Sequence, residues 1–285
     1  MFFFFFLFIS HSQATIHFAN IPSILQLRNL RNEYQRGYEK NLKSQNWVEL
    51  RENERFLHYE EIQQVVKSLM NEFLEGQKDP KIVSSNTKFP LLTKAKQLQK
   101  FLVLLFYTSL PPSRALEMRT LQYGTSLQFR KTTNTWWLIL SEFKTVKHKG
   151  IDSLELNPNS QKALITYLEL FLNEYREHLL SHWWDKKRKS NLMLQQEHMV
   201  DEKYLFIPSG KTKNQEYSES AWSSMVCNIF KEKTGMAISI NCLRSSFVTY
   251  FYDSDASANL NLRESIAHGM RHSVSEAQKT YDRRY

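Results

Sequence analysis

The chain has 285 residues, 41% of them hydrophobic, which is enough for a packed core and excludes a chain that is disordered overall. Its 38 lysines and arginines outnumber 29 aspartates and glutamates, and the net charge of +9 favours an anionic partner, either nucleic acid or an acidic membrane surface. The two cysteines, Cys227 and Cys242, are too few for a disulfide framework, which favours a reducing compartment over secretion.

The chain begins with an apolar segment, MFFFFFLFIS. This segment is too short to span a bilayer, and it lacks the basic region and the small-residue cleavage site of a secretory signal. A signal peptide, a misassigned start codon and a truncated upstream domain are the three explanations left open. We therefore separate residues 1–20 from the rest of the chain, and we expect no membrane partner.

The next part of the chain is predicted to be helical. Residues 22–55 are mostly polar, with scattered leucines and tyrosines, as in a helical arm or linker. Between Tyr59 and Leu74, apolar residues recur at spacings of three and four, the pattern of an amphipathic helix, which Gly76 and Pro80 then close.

The main domain is predicted to follow the Pro- and Ser-containing stretch at residues 79–90. Residues 92–109 become almost continuously apolar after Lys100, as in a helix buried on most sides, and two prolines end this helix. Segments rich in β-branched and aromatic residues then predict two or three antiparallel strands, at residues 126–130, 135–143 and 151–156.

The last part of the chain is again mostly helical in pattern. A long helical stretch runs from Pro158 towards Trp184, a basic loop follows, and KYLFIP at residues 203–208 predicts a short strand. Further helical stretches reach the end of the chain. The predicted fold class is therefore mainly α with a small antiparallel β-sheet (α+β).

Arginine, histidine and tyrosine occur in three motifs of the main domain. The first, RALEMRTL, begins at Arg114 after the Pro-Pro turn, where the end of a buried helix can hold an arginine against a phosphate. The second, INCLRSSFVTYF, has Arg244 within an apolar helical face, which calls for a specific partner: a buried carboxylate is the alternative to a phosphate. The third, GMRHSVSEAQKTYDRRY, has His272 nine residues before Tyr281. Taken singly, this histidine is a surface or cap residue and this tyrosine is packing.

The order of these motifs and the nine-residue interval resemble the tyrosine recombinase (phage integrase) family over residues 85–285. More narrowly, the Pro-Pro turn, the FKTVKHKG hairpin and the LRSSFVTYF segment resemble integrases of Crypton-type eukaryotic transposons. The resemblance implies the tyrosine recombinase catalytic-domain fold for residues 85–285. It also implies a helical arm, a partial core-binding region and a linker for residues 21–84.

The chemistry that the resemblance implies is DNA cleavage and rejoining by transesterification. Tyr281 attacks the scissile phosphate, the 5′ oxygen leaves, and a 3′-phosphotyrosine keeps the bond energy for rejoining. Arg114 and Arg244 donate to the non-bridging oxygens because a guanidinium is a planar, permanently charged donor. His272 donates to a non-bridging oxygen, and Lys144 on the hairpin protonates the leaving oxygen.

Further basic residues complete the predicted DNA contacts. Lys147 and Lys149 lie on the same hairpin as Lys144 and are alternatives for its role, with phosphate contact as their expected function. Arg271, just before His272 in the third motif, is predicted to contact DNA as well.

One position departs from the family pattern. Three residues before the second arginine, where the family commonly has His or Lys, this chain has Asn241, which can donate a hydrogen bond to a phosphate but cannot act as a general base. Hydrogen bonding alone, another base and reduced activity are the three possibilities. His268 and Tyr285 are alternatives for His272 and Tyr281, although Tyr285 breaks the nine-residue interval.

The resemblance also implies the partners. We expect double-stranded DNA, a homo-tetramer on DNA, no metal or other cofactor, no small-molecule substrate, and a location in the nucleus or otherwise on DNA. The first alternative is a catalytically impaired or domesticated DNA-binding protein that keeps the recombinase fold. A type IB topoisomerase and a purely structural helical protein rank below it.

Overall fold

The structure is a computed structural model, and it describes residues 22–44, 56–78, 88–141, 151–189, 203–209, 216–253 and 259–283. The chain divides into two compact units, Met1–Glu49 and Leu50–Tyr285. The described part of the first unit is helix α1 (Pro22–Ser44), in which almost all side chains up to Gly37 are exposed.

The second unit contains helices and a three-stranded sheet. In chain order its elements are α2 (Tyr59–Lys78), α3 (Lys88–Ser109), α4 (Ala115–Arg119), β1 (Leu127–Arg130), β2 (Thr135–Leu140), β3 (Asp152–Glu155), α5 (Lys162–Leu170), α6 (Arg176–Lys189), α7 (Glu219–Thr234), α8 (Ile240–Asp253), α9 (Leu260–Gly269) and α10 (Val274–Thr280). A π-helical turn, Phe171–Tyr175, joins α5 to α6 in one continuous helical run. The predicted α+β class is confirmed.

Helix α3 is the centre of the core. Its residues 101–107 are all buried, because α2, α5, α6 and the π-helical turn pack against it on different sides. An apolar surface on every side is what such a position requires. Both helices predicted around residues 59–74 and 92–109 are confirmed, and α3 begins earlier than predicted because Pro90 is tolerated in its first turn.

The sheet is antiparallel, with strand order β1-β2-β3. Leu138 of β2 lies opposite Leu127 on one side and opposite Leu154 on the other, and alternate residues of β2 point into the core. The inward-facing Trp136 donates through its indole N–H to Glu169 Oε1 on α5, at 3.0 Å. The predicted strands are confirmed within residues 127–140 and 152–155.

The strand predicted for KYLFIP is wrong. This segment forms only an isolated bridge, between Tyr204 and Gln122. Its backbone groups are satisfied elsewhere: Leu205 N–H donates to the Leu121 carbonyl at 2.8 Å, and Ile207 N–H donates to Gln99 Oε1 at 2.8 Å. A buried side chain of α3 thus takes the place of a neighbouring strand.

Across the part of the chain that the structure describes, helices are too short or too polar to cross a membrane.

Candidate active site

The Pro-Pro turn places Arg114 at the beginning of α4. Its backbone is extended, and its N–H donates to Glu117 Oε2 at 3.0 Å, so the carboxylate one turn later stabilises this helix start. Nη1 of Arg114 is buried and has no hydrogen-bond partner among the described residues. The N–H groups of this atom therefore have no acceptor within the described protein.

A groove of about 490 Å³ lies beside this arginine, where α4, α7 and α8 begin. The polar residues that line it are Arg114, Glu117, Arg119, Glu219, Ser223, Ser239 and Asn241. Asn241 is exposed in the first turn of α8, so its amide is accessible to a molecule in the groove. Guanidinium, hydroxyl and amide groups together can donate hydrogen bonds to the oxygens of a phosphodiester.

Arg244 contacts both His272 and Tyr281, and it is 0% exposed. Its guanidinium donates to the main-chain carbonyls of Pro112 and Met270, and its Nη2 is in contact with His272 Nε2. Its Cζ lies 4.8 Å from the centre of the Tyr281 ring. Within the described ranges Arg244 forms no ion pair with a carboxylate, so the alternative of a buried ion pair is not what the structure contains.

The pKa of Arg244 reflects this environment. Burial lowers the pKa of Arg244, because the charged form loses its hydration. The charge of the Tyr281 side chain and a hydrogen bond with it act in the opposite direction on this pKa, followed in size by the positive charge of Arg114, which lowers it. The positive charge of Arg114 therefore acts on the pKa of Arg244 in the same direction as burial.

His272 and Tyr281 are brought together by the short helix between them. His272 precedes α10, and Tyr281 ends it, with its N–H donating to the Ala277 carbonyl at 3.0 Å. The two rings are 5.1 Å apart at an angle of 58°. The Nε2 atom of His272 faces the Arg244 guanidinium, so the histidine, the arginine and the tyrosine lie in mutual contact.

The structure therefore brings some of the predicted site residues together. Arg244, His272 and Tyr281 form one buried cluster, while Arg114 and Asn241 line the neighbouring groove. Four candidate residues lie outside the described residues: Lys144, Lys147, Lys149 and Tyr285. His268, the alternative histidine, is exposed and lines a different cavity.

Arg271 lies inside the protein, with its side chain in contact with Glu117, Ser113 and Asp152. Its guanidinium therefore has protein partners where sequence reasoning expected DNA. The role of Glu117 was also missed by sequence reasoning. The R-x-x-E spacing from Arg114 was the available signal, because an acceptor three residues after a helix start is placed to cap it.

The described residues contain no group of three or more His, Cys, Asp or Glu side chains that could hold a metal ion.

These features define a mainly helical α+β domain with a buried arginine-histidine-tyrosine cluster beside a polar groove. No protein-family model matches the sequence, and neither does any curated protein. The structure is similar to the crystal structure of XerA recombinase, with a TM-score of 0.40 and 14% sequence identity. The match covers 69% of this chain and 57% of that one. A likeness of this size carries no argument about function, and the fold class rests on the helices and the sheet themselves.

Proposed function

We propose that this chain is a DNA-cleaving and DNA-rejoining enzyme of the tyrosine recombinase type, with Tyr281 as nucleophile, acting in site-specific recombination or DNA integration. The observation that carries the proposal is the contact of Arg244 with both His272 and the Tyr281 ring. These side chains come from α8 and from the two ends of α10, and burying polar groups is costly without a specific use for them.

The two arginines supply the stabilisation that phosphoryl transfer needs. Arg114 Nη1 and Arg244 Nε are both buried and lack a hydrogen-bond partner within the described ranges. Directed at one phosphate, these donors would stabilise the negative charge that develops on its non-bridging oxygens. Asn241, in the groove beside Arg114, would add a neutral amide donor.

In this proposal Tyr281 is activated by a nearby cation that stabilises its phenolate, and not by a general base that removes its proton. A tyrosine has a reference pKa of about 10, so its oxygen attacks well only when the phenolate is stabilised. Asn241 cannot act as a general base, and Nε2 of His272 is in contact with the Arg244 guanidinium. The guanidinium over the Tyr281 ring is therefore the group that stabilises the phenolate in this proposal.

The reaction balances with these groups. The Tyr281 oxygen forms a bond to phosphorus, its proton goes to solvent, and the bond to the 5′ oxygen breaks. Lys144 is proposed to give its ammonium proton to that leaving oxygen, with Lys147 and Lys149 contacting neighbouring phosphates. Because Tyr281 is only 7% exposed, the end of α10 must move towards the DNA before attack.

The remaining parts of the proposal rest on the resemblance in sequence. The substrate is double-stranded DNA, the assembly on DNA is a homo-tetramer, and the source is a Crypton-type element acting in the nucleus. Residues 21–84 are proposed as arm, partial core-binding region and linker, and residues 85–285 as the catalytic domain.

A second candidate is a DNA-binding protein that keeps the fold without cleaving DNA. Two observations favour it: Asn241 cannot titrate, and the Arg244 guanidinium is occupied by carbonyls of the protein. This candidate predicts salt-dependent DNA binding and no covalent product.

The two candidates are separated by incubating the full chain with a pool of nicked suicide duplexes of randomised sequence, followed by denaturing gel electrophoresis. The first predicts a covalent protein–DNA adduct that Tyr281→Phe abolishes. Tyr285→Phe tests the alternative nucleophile, and Tyr123→Phe, an exposed tyrosine next to the sheet, is the matched control. An adduct that survives in Tyr281→Phe, or salt-sensitive binding without any adduct, would reject the first candidate.

A further inference from the structure

Arg271 has a backbone conformation that few residues other than glycine adopt. Its φ is +59°, in the left-handed region, and it lies between the end of α9 and His272. Its N–H donates to the His268 carbonyl at 2.8 Å, which ends the helix. A side chain in this region is strained, and such strain persists where the surroundings hold the residue in place.

The side chain of Arg271 shows what holds it. It is 4% exposed, and its Nη1 donates to Ser113 Oγ at 3.0 Å and to Glu117 Oε2 at 3.3 Å. On another edge, Nε lies 3.2 Å from Asp152 Oδ2, at the start of β3. One guanidinium thus joins the turn before α4, helix α4 itself and the sheet.

Glu117 connects this guanidinium to the phosphate-binding arginine of the proposed site. Its Oε2 accepts from Arg271 and also from the backbone N–H of Arg114. The carboxylate is buried, and the ion pair with Arg271 supplies the positive charge that offsets its burial. Moving Arg271 would therefore move the carboxylate that orients the Arg114 backbone.

We infer that Arg271 is a positioning residue for the proposed cleavage reaction. It holds Arg114 through Glu117 and fixes His272, its neighbour in the chain, through its own backbone. A lysine could not replace it, because one ammonium would reach one carboxylate where the planar guanidinium reaches Glu117 and Asp152 from different edges. This inference rests on the proposed function, because its effect is on the rate of that reaction.

The test separates the rate of adduct formation from DNA affinity. In Arg271→Gly the left-handed backbone is free of strain, but the positive charge is lost. Arg271→Lys keeps a positive charge but lacks the planar guanidinium. We expect adduct formation at saturating nicked duplex to fall about 100-fold in Arg271→Gly, the size of effect that a small misplacement of a reacting group produces. The Kd for DNA should change by less than about threefold, because phosphate contacts dominate affinity.

Chemical rescue provides a readout that a purely structural role would not move. Free guanidinium ion, added well below denaturing concentrations, should raise the rate of Arg271→Gly by filling the vacated place between Glu117 and Asp152. It should not raise the rate of Arg271→Lys, where a side chain fills that place. Arg130→Gly, an exposed arginine on β1, is the control and should form adduct at the wild-type rate with no effect of guanidinium.

Asp152→Asn gives a second variant in case Arg271→Gly does not fold. The Asp152 side chain is 24% exposed at a strand start, and Asp152→Asn should slow adduct formation while leaving DNA affinity in place. The inference would be overturned if both Asp152→Asn and Arg271→Gly formed adduct at the wild-type rate. It would also be overturned if the rate, the DNA affinity and the melting temperature of Arg271→Gly fell together and guanidinium gave no rescue. If the wild-type chain forms no adduct, the proposed function is rejected and the inference with it.

Discussion

Replacing Arg244 by methionine is expected to destabilise the protein strongly. Site arginines often lower stability, so their removal is commonly neutral or stabilising. Here, however, the guanidinium is also a structural donor to the carbonyls of Pro112 and Met270 and a contact of His272 Nε2. Methionine is shorter and has no donor, so these acceptors lose their partner and the place of the guanidinium is only partly filled.

The size of this destabilisation follows from the number of contacts that Arg244 loses. A buried acceptor left without a donor costs about 1–3 kcal/mol, so the loss of three contacts costs about 3–9 kcal/mol. Part of this is offset, because the variant no longer buries a charged group, the same effect that lowers the pKa of Arg244. We expect the free energy of unfolding to decrease by about 3 kcal/mol.

Urea denaturation followed by tryptophan fluorescence measures this change. With a slope of about 3 kcal/mol per molar urea, the midpoint of Arg244→Met should fall by about 1 M. Arg28→Met, on the exposed surface of α1, is the matched control and should change the free energy of unfolding by less than about 0.5 kcal/mol. A midpoint of Arg244→Met equal to or above the wild-type value would refute this account of the cluster.

Three further predictions use the same urea experiment. Gly269→Ala should lower the free energy of unfolding by about 1–3 kcal/mol, because the new Cβ would lie 2.8 Å from Pro111 Cγ. Stabilisation, the usual result of this change in a helix, would contradict that close approach. Gln99→Leu removes the two hydrogen bonds with the Ile207 main chain. It should lower the free energy of unfolding by about 2–4 kcal/mol and speed amide hydrogen exchange at Ile207. Unchanged exchange would show that other contacts hold this segment. Burial raises the pKa of Tyr107, so its contribution to stability is complete below pH of about 10 and is lost as the pH rises above it, where the unfolded tyrosine ionises first. Tyr107→Phe should therefore lose stability less steeply above that pH, by about 1.4 kcal/mol per pH unit, and equal slopes would be evidence against a buried, protonated hydroxyl.

Local sequence pattern was sufficient to predict most of the elements. The spacing of apolar residues between Tyr59 and Leu74 and the apolar run after Lys100 correspond to α2 and α3, and the aromatic and β-branched segments correspond to the sheet. KYLFIP was mispredicted for a physical reason. Its composition indicates a buried extended chain, but a strand also needs a neighbouring strand, and here Gln99 on α3 supplies the hydrogen bonds.

For the site, the sequence by itself determined which residue types were available and in what order: two arginines, a histidine, and a tyrosine nine residues after it. These are properties of single motifs, and a helix of known pitch between His272 and Tyr281 relates them locally. The tertiary structure alone decided that Arg244 lies over the Tyr281 ring and that Arg271 turns inwards to Glu117 and Asp152. Such contacts join segments far apart in the chain, and their distances depend on how the helices pack around one core, which no local periodicity encodes.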